Sequence, residues 1–183
     1  MKHALALLLA LAACGAAAQA DPRGWSYGRL PDNQTGEKEE AAWQELEVEP
    51  PAFPKDASLI EFYVSAVATN KYYIDASTLS VGNDGVVRYV LVVKTGGGAT
   101  NVSFEGIRCK ERTWKHYATG RADPESWTRS RASNIDWRPI ENKTVNRHHA
   151  ALSRDLFCPK GNPIRNADDG RNALRLGKHP DAL

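Results

Sequence analysis

The sequence predicts a single α+β domain, an antiparallel meander of about five strands with one main helix packed on it. Three observations carry that expectation. The stretch 86–109, VVRYVLVVKTGGGATNVSFEGIRC, is a β-branched and aromatic run, a turn with three consecutive glycines, and a second run back. Shorter apolar runs precede and follow it with brief connections, as in a meander. Beyond residue 142 the apolar spacing changes from that of a strand to that of a helix.

The first twenty residues differ in kind from the rest. Lys2 and His3 precede an apolar stretch at 4–13, and a small-residue run ends in Ala18-Gln19-Ala20, the A-x-A form of an export-signal cleavage site after Ala20. Overlapping it, Leu11-Ala12-Ala13-Cys14 has the form of a bacterial lipobox, with cleavage before Cys14 and a lipid on that cysteine. Both readings stay open. Either one places the chain in the bacterial cell envelope, in the periplasm or lipid-anchored to the outer membrane. Membrane contact then comes only through Cys14, since the mean hydropathy of −0.51 excludes an integral membrane protein.

Residues 21–54 read as an N-terminal arm with acidic and proline-rich segments, and 55–183 as the α+β domain. Within the arm, 37–49 is acidic, with a short helix suggested through Trp43 and Trp43 expected to dock, and Pro50, Pro51 and Pro54 end any regular element. In the domain, 59–67 alternates with Ile60, Phe62 and Val64 on one side and Glu61, Tyr63 and Ser65 on the other. A short strand at 72–74 leads to Asp75, whose carboxylate can cap the following turn. Val81-Gly82-Asn83-Asp84-Gly85 is a hairpin signal, because Asp-Gly supplies the positive φ.

In the first long strand Val87, Tyr89, Leu91 and Val93 share one face, and Val86, Arg88, Val90, Val92 and Lys94 the other. In the second, Val102 and Phe104 oppose Asn101, Ser103 and Glu105, after which Ile107 and Cys109 fall on the polar parity. A bulge near Glu105-Gly106 is expected to return them to the core and leave Glu105 on the solvent face. A strand at 113–118 follows, then a polar region anchored by Trp127 and Trp137, with a short strand near 136–140. Val145, His148 or His149, Leu152 and Leu156 form the main helix, with Asn142 or Thr144 as N-cap and Phe157-Cys158-Pro159 as its end. A last helix covers 167–176, closed by Gly177.

Both leader readings remove Cys14 from the free thiols and leave Cys109 and Cys158. An even pair in an exported chain suggests a disulfide; two buried free thiols are the alternative. The motifs Ile74-Asp75, Leu79-Ser80-Val81-Gly82, Gly85-Val86-Val87-Arg88-Tyr89 and 101–109, NVSFEGIRC, resemble the family of exported bacterial proteins named after a cryptic neisserial protein. The resemblance covers about Trp43 to Cys158 and implies no catalytic residue. More loosely, strands ending in a cysteine-bearing strand, followed by Tyr117-Ala-x-Gly120, are similar in architecture to surface adhesins of the protein E type.

No nucleophile or metalloprotease motif occurs, and the glycine loop 95–100 lacks the lysine and following helix of a phosphate-binding loop. The chemistry therefore leans away from an enzyme and implies no cofactor. His148 and His149 are adjacent, so helical geometry is expected to splay them by about 100° and deny one metal to both. A zinc site drawn from His116, His148 or His149 with Asp155 matches no ligand spacing and underlies only the competing reading, a small hydrolase or metal-dependent enzyme.

Charge is the remaining clue. Residues 21–63 hold four basic and ten acidic side chains, net −6, and 108–154 eleven basic and five acidic, net +6. The basic stretch carries tryptophans, a composition suited to an anionic polymer of the envelope or a host surface, or to an envelope protein. Export argues against nucleic acid. Arg112, Lys115, Trp127, Arg129, Arg131 and Trp137 are the candidate contacts. Mutual neutralisation of the two halves within one fold is the simpler outcome.

Overall fold

A computed structural model describes residues 42–131, 136–143 and 147–182. The leader with Cys14 and Ala20, the arm up to residue 41, Thr144 and Val145 lie outside the described residues. Eight strands form one antiparallel sheet: β1 (Leu59–Phe62), β2 (Lys71–Asp75), β3 (Ser80–Val81), β4 (Val86–Lys94), β5 (Thr100–Arg108), β6 (Thr113–Ala122), β7 (Glu125–Arg129) and β8 (Arg138–Pro139). Their order is β1-β2-β4-β5-β6-β7, with β3 beside β4 and β8 beside β6. The expected count of about five is thus too low. β8, two residues long, falls inside the short strand expected near 136–140; β3 is also two residues and β7, ESWTR, is an edge strand with one apolar side chain, so neither of these carries a periodic signal.

The long hairpin pairs from Val86↔Arg108 to Lys94↔Thr100 without interruption. Tyr89 therefore stands opposite Glu105 and Val87 opposite Ile107, and the β5 parity never changes. The expected bulge lies on the neighbouring strand instead: Phe104 pairs with Ala118 but Glu105 with His116, leaving Tyr117 as the extra residue of β6. Gly106 has a different reason to be glycine. A Cβ there would sit 2.9 Å from the Tyr117 ring and 3.0 Å from Val86. Glu105 consequently points into the core, 4% exposed, where the sequence placed it on the solvent face.

The Val87, Tyr89 and Leu91 face packs against Leu152, Leu156 and Phe157, with Ile74, Phe62, Ile107 and Trp114 alongside. The helical segment begins as α1 (Arg147–Ala151) and widens into π-turns over Leu152–Phe157. The extra residue per turn lets Phe157 join Leu152 and Leu156 on the sheet side. It ends at Cys158, which is disulfide-bonded to Cys109 with their Cα atoms 5.3 Å apart. Closing a loop of 49 residues between β5 and this segment stabilises the fold by about 4 kcal/mol on the loop-entropy model. α2 (Ala167–Leu176) has the expected bounds, capped by Asn166 through the Asp169 N–H and ended by Gly177 at φ 75°.

The opposite face buries Val90, Val92, Val102, Phe104 and Ala118, covered by Val48, Phe53, Tyr117 and Trp127. Its cover is the segment 42–54, which has no helix or strand. The short helix suggested through Trp43 is absent at Ala42 and beyond, although Trp43 does dock, donating from its indole to the Asp84 carbonyl at 2.8 Å.

Candidate functional site

Two groups of polar side chains stand out, one between sheet and helix and one beside the disulfide. The first is built on Glu105. The unbroken β4·β5 register turns its carboxylate toward the helix, where Oε1 accepts from Ser103 Oγ at 2.7 Å and Oε2 from Tyr89 Oη at 3.2 Å. His149, on the first turn of α1, donates its Nε2–H to the same Oε2 at 2.9 Å. Burial alone pushes the Glu105 carboxyl up. The hydrogen bond and charge of His149, then His148 and the Ser103 hydroxyl, overcome burial and bring it down to about 2. Glu105 is ionised at neutral pH. Burial, reinforced by that carboxylate, drives the Tyr89 phenol well above its ordinary range.

The two histidines do not splay apart. Their ring centroids are 4.0 Å apart. Trp114 stacks on the far side of His149 at 3.8 Å and Tyr72 on the far side of His148 at 5.3 Å. The flanking aromatics from β6 and β2 draw both imidazoles into one column, which corrects the expectation from helical geometry. Burial, followed by the charge of His149, lowers His148 to about 4. Oxygen of Glu105 and nitrogens of His148 and His149 all lie within 4.8 Å of one another. His149 Nδ1 is buried and has no hydrogen-bond partner among the described residues.

His116 shares this face but turns to other partners. Its Nδ1 meets Ser130 Oγ at 2.5 Å and its Nε2 Thr119 Oγ1 at 3.2 Å. Asp155 is taken up by Arg154. The structure therefore substitutes Glu105 for His116 and Asp155 in the histidine grouping drawn from sequence. Sequence reasoning sets Glu105 aside because a carboxylate in an alternating strand reads as solvent-facing.

The candidate basic contacts separate. Lys115, 8% exposed, donates to Glu45 Oε2 at 2.6 Å. Tyr117 donates to Glu45 Oε1 at 2.8 Å and the Trp137 indole to Oε2 at 3.3 Å. Trp127 is half-buried against Phe53 and donates to the Pro51 carbonyl at 2.8 Å. Arg129 pairs with Glu49 at the surface. Arg131 is exposed beside the undescribed 132–135. Asp84, read only as a turn residue, also holds the buried Arg88 guanidinium at 2.6 Å and the Leu46 N–H at 2.9 Å.

Arg112 lies apart from these, on the β5–β6 turn at φ 51°. With Asn142, Ser153, Arg154 and Lys160 it lines a cavity of about 480 Å³ walled by both disulfide cysteines. A second cavity of about 250 Å³ shares Asn142, Ala150 and Arg154 and adds Arg147. The Arg147 Nε is buried without a partner among the described residues. Arg154 pairs with Asp155 and Lys160 with Asp181, but both cationic side chains stay more than half exposed and open to an anion from solvent. Arg112 and Arg147 enter no ion pair among the described residues. The arrangement is a cationic groove beside the disulfide, where the helical segment meets the β5–β6 turn.

No curated protein and no solved structure matches the chain. The model of the CNP1-like family matches residues 38–175, a span that contains the whole sheet, the Glu105 cluster and the disulfide, and the chain belongs to that family.

Proposed function

We propose that this chain is an exported, non-enzymatic envelope module that binds an anionic glycan through the groove lined by Arg112, Arg147, Arg154 and Lys160. The carrying observation is that groove: cations from the β5–β6 turn and the helical segment converge on adjoining cavities, and the Arg147 Nε is buried with its hydrogen-bonding capacity unused. Sulfate or phosphate groups supply the acceptors a guanidinium fork takes. The leader pattern and the pairing of Cys109 with Cys158 support export. The acidic cover over Lys115 and Arg129 moves the expected contact away from the tryptophan-bearing face.

Binding of the purified chain to immobilised heparin tests the reading. Retention should weaken steeply with salt and fall at least about tenfold on Arg112→Glu or Lys160→Glu, since each reversal adds repulsion to lost attraction. The change Arg131→Glu should matter little. Salt-insensitive binding, or binding indifferent to the groove reversals, rejects it. Intact-mass measurement of protein from the native host decides between cleavage after Ala20 and a lipid on Cys14.

A further inference from the structure

We propose that Glu105, His148 and His149 form a binding site for one divalent transition-metal ion, with zinc as the best match to the donor set. Two imidazoles and one carboxylate are borderline donors, suited to zinc, copper or nickel and poorly suited to magnesium or calcium. The geometry is close to assembled. Glu105 Oε2 and His149 Nε2 are 2.9 Å apart, near the roughly 3 Å that separates neighbouring ligands around an ion with bonds of about 2.1 Å. All three donors lie within 4.8 Å of one another. His148 has to approach by on the order of 1 Å to reach the spacing of a four-coordinate site. It can do so because it is half-buried and sits in the first turn of α1.

A second observation separates this cluster from an ordinary buried hydrogen-bond network. Asp75 spends its carboxylate on Ser77 and Thr78 within its own turn. By contrast Glu105 gathers two imidazoles around one carboxylate, His149 Nε2 at 2.9 Å from its Oε2 and the His148 ring beside that of His149, with one donor atom from each residue inside 4.8 Å. Metal binding at Nε2 displaces the proton now shared with Glu105, which leaves to solvent, so uptake of the ion releases a proton.

Titration of the chelator-treated full chain with zinc chloride, followed by calorimetry, tests the site, and cobalt absorption supplies a second readout. One ion per chain is expected, with a four-coordinate nitrogen–oxygen cobalt spectrum. His148→Ala, a half-buried position, should weaken zinc at least about tenfold while circular dichroism stays unchanged. Glu105→Gln should do the same, and His116→Ala should leave affinity as it was. Absence of saturable one-to-one binding overturns the proposal. So does a stoichiometric zinc site that survives His148→Ala or disappears with His116→Ala. The heparin measurement shares none of these residues, so either reading can fail alone.

Discussion

Beneath the helices, Val87, Tyr89, Leu91 and Ile107 meet Leu152, Leu156 and Phe157; across the same strands, Val90, Val92, Val102 and Phe104 lie under the irregular segment 42–54. The helical cover satisfies most of its own backbone and contributes apolar area, with a disulfide holding its end. The extended cover has no such ladder. It is tied down by side chains of the sheet: Asp84 takes the Leu46 N–H and Glu45 takes Lys115, Tyr117 and Trp137. One face is therefore stabilised mainly by burial, the other by a few polar anchors over a smaller apolar patch. The difference also explains the opposed charge of the two halves of the chain, part of which is spent on pairs such as Glu45 with Lys115 and Glu49 with Arg129.

The largest effect should come from the helical face. Phe157 is fully buried against Tyr89, and Phe157→Ala should cost about 3–5 kcal/mol in urea unfolding. Phe53→Ala, on the partly exposed cover, should cost less than half as much. Equal losses would erase the distinction between a packed face and an anchored one.

Acid sharpens the comparison. The unfolded chain protonates His148 near its ordinary 6.5, whereas the folded chain resists until about 4. Between those values the unfolded state binds more protons, so stability falls as pH drops through this window. Glu105 follows at lower pH: its folded value near 2 lies below its ordinary 4.5, so its contribution is present above 4.5 and lost toward 2. The urea midpoint of the metal-free protein should decline from pH 7 to 4, and His148→Gln should flatten that decline. An unchanged slope in the variant would remove the histidine column as its cause.

How much of this was legible depended on whether a feature is local. The helix 167–176 could be read to its ends because Asn166 and Gly177 are caps acting within a turn. The long hairpin announces itself by composition, and the 109–158 pairing by cysteine counting. The edge strand β7 could not be read, since pairing on one side leaves its polar residues without a pattern. Glu105 misled because one residue of bulge, assigned to β5 when it belongs to β6, decides whether a carboxylate faces water or a histidine. The histidine column required knowing that β2 and β6 bring Tyr72 and Trp114 to either side of one helical turn. Residues 41 or more apart in sequence anchor the extended cover in the Trp43–Asp84 and Glu45–Lys115 bonds, and no local pattern carries such information.

The smallest effects lie within the extended cover itself, where two glutamates four residues apart should behave differently. Glu45 satisfies Lys115, which is 8% exposed, together with Tyr117 and Trp137. Glu45→Ala strands a nearly buried ammonium and a phenol, and should cost about 1–3 kcal/mol. Glu49 pairs with Arg129 where both side chains are more than half exposed. There water replaces the lost partner, so Glu49→Ala should fall within about 0.5 kcal/mol of the parent. Urea midpoints of the two variants, measured at the same salt, decide the matter. If Glu49→Ala matched Glu45→Ala, the cover would be held by diffuse charge attraction, and added salt would weaken both variants' parent alike. If only Glu45→Ala destabilises, the cover hangs on the anchor beneath it.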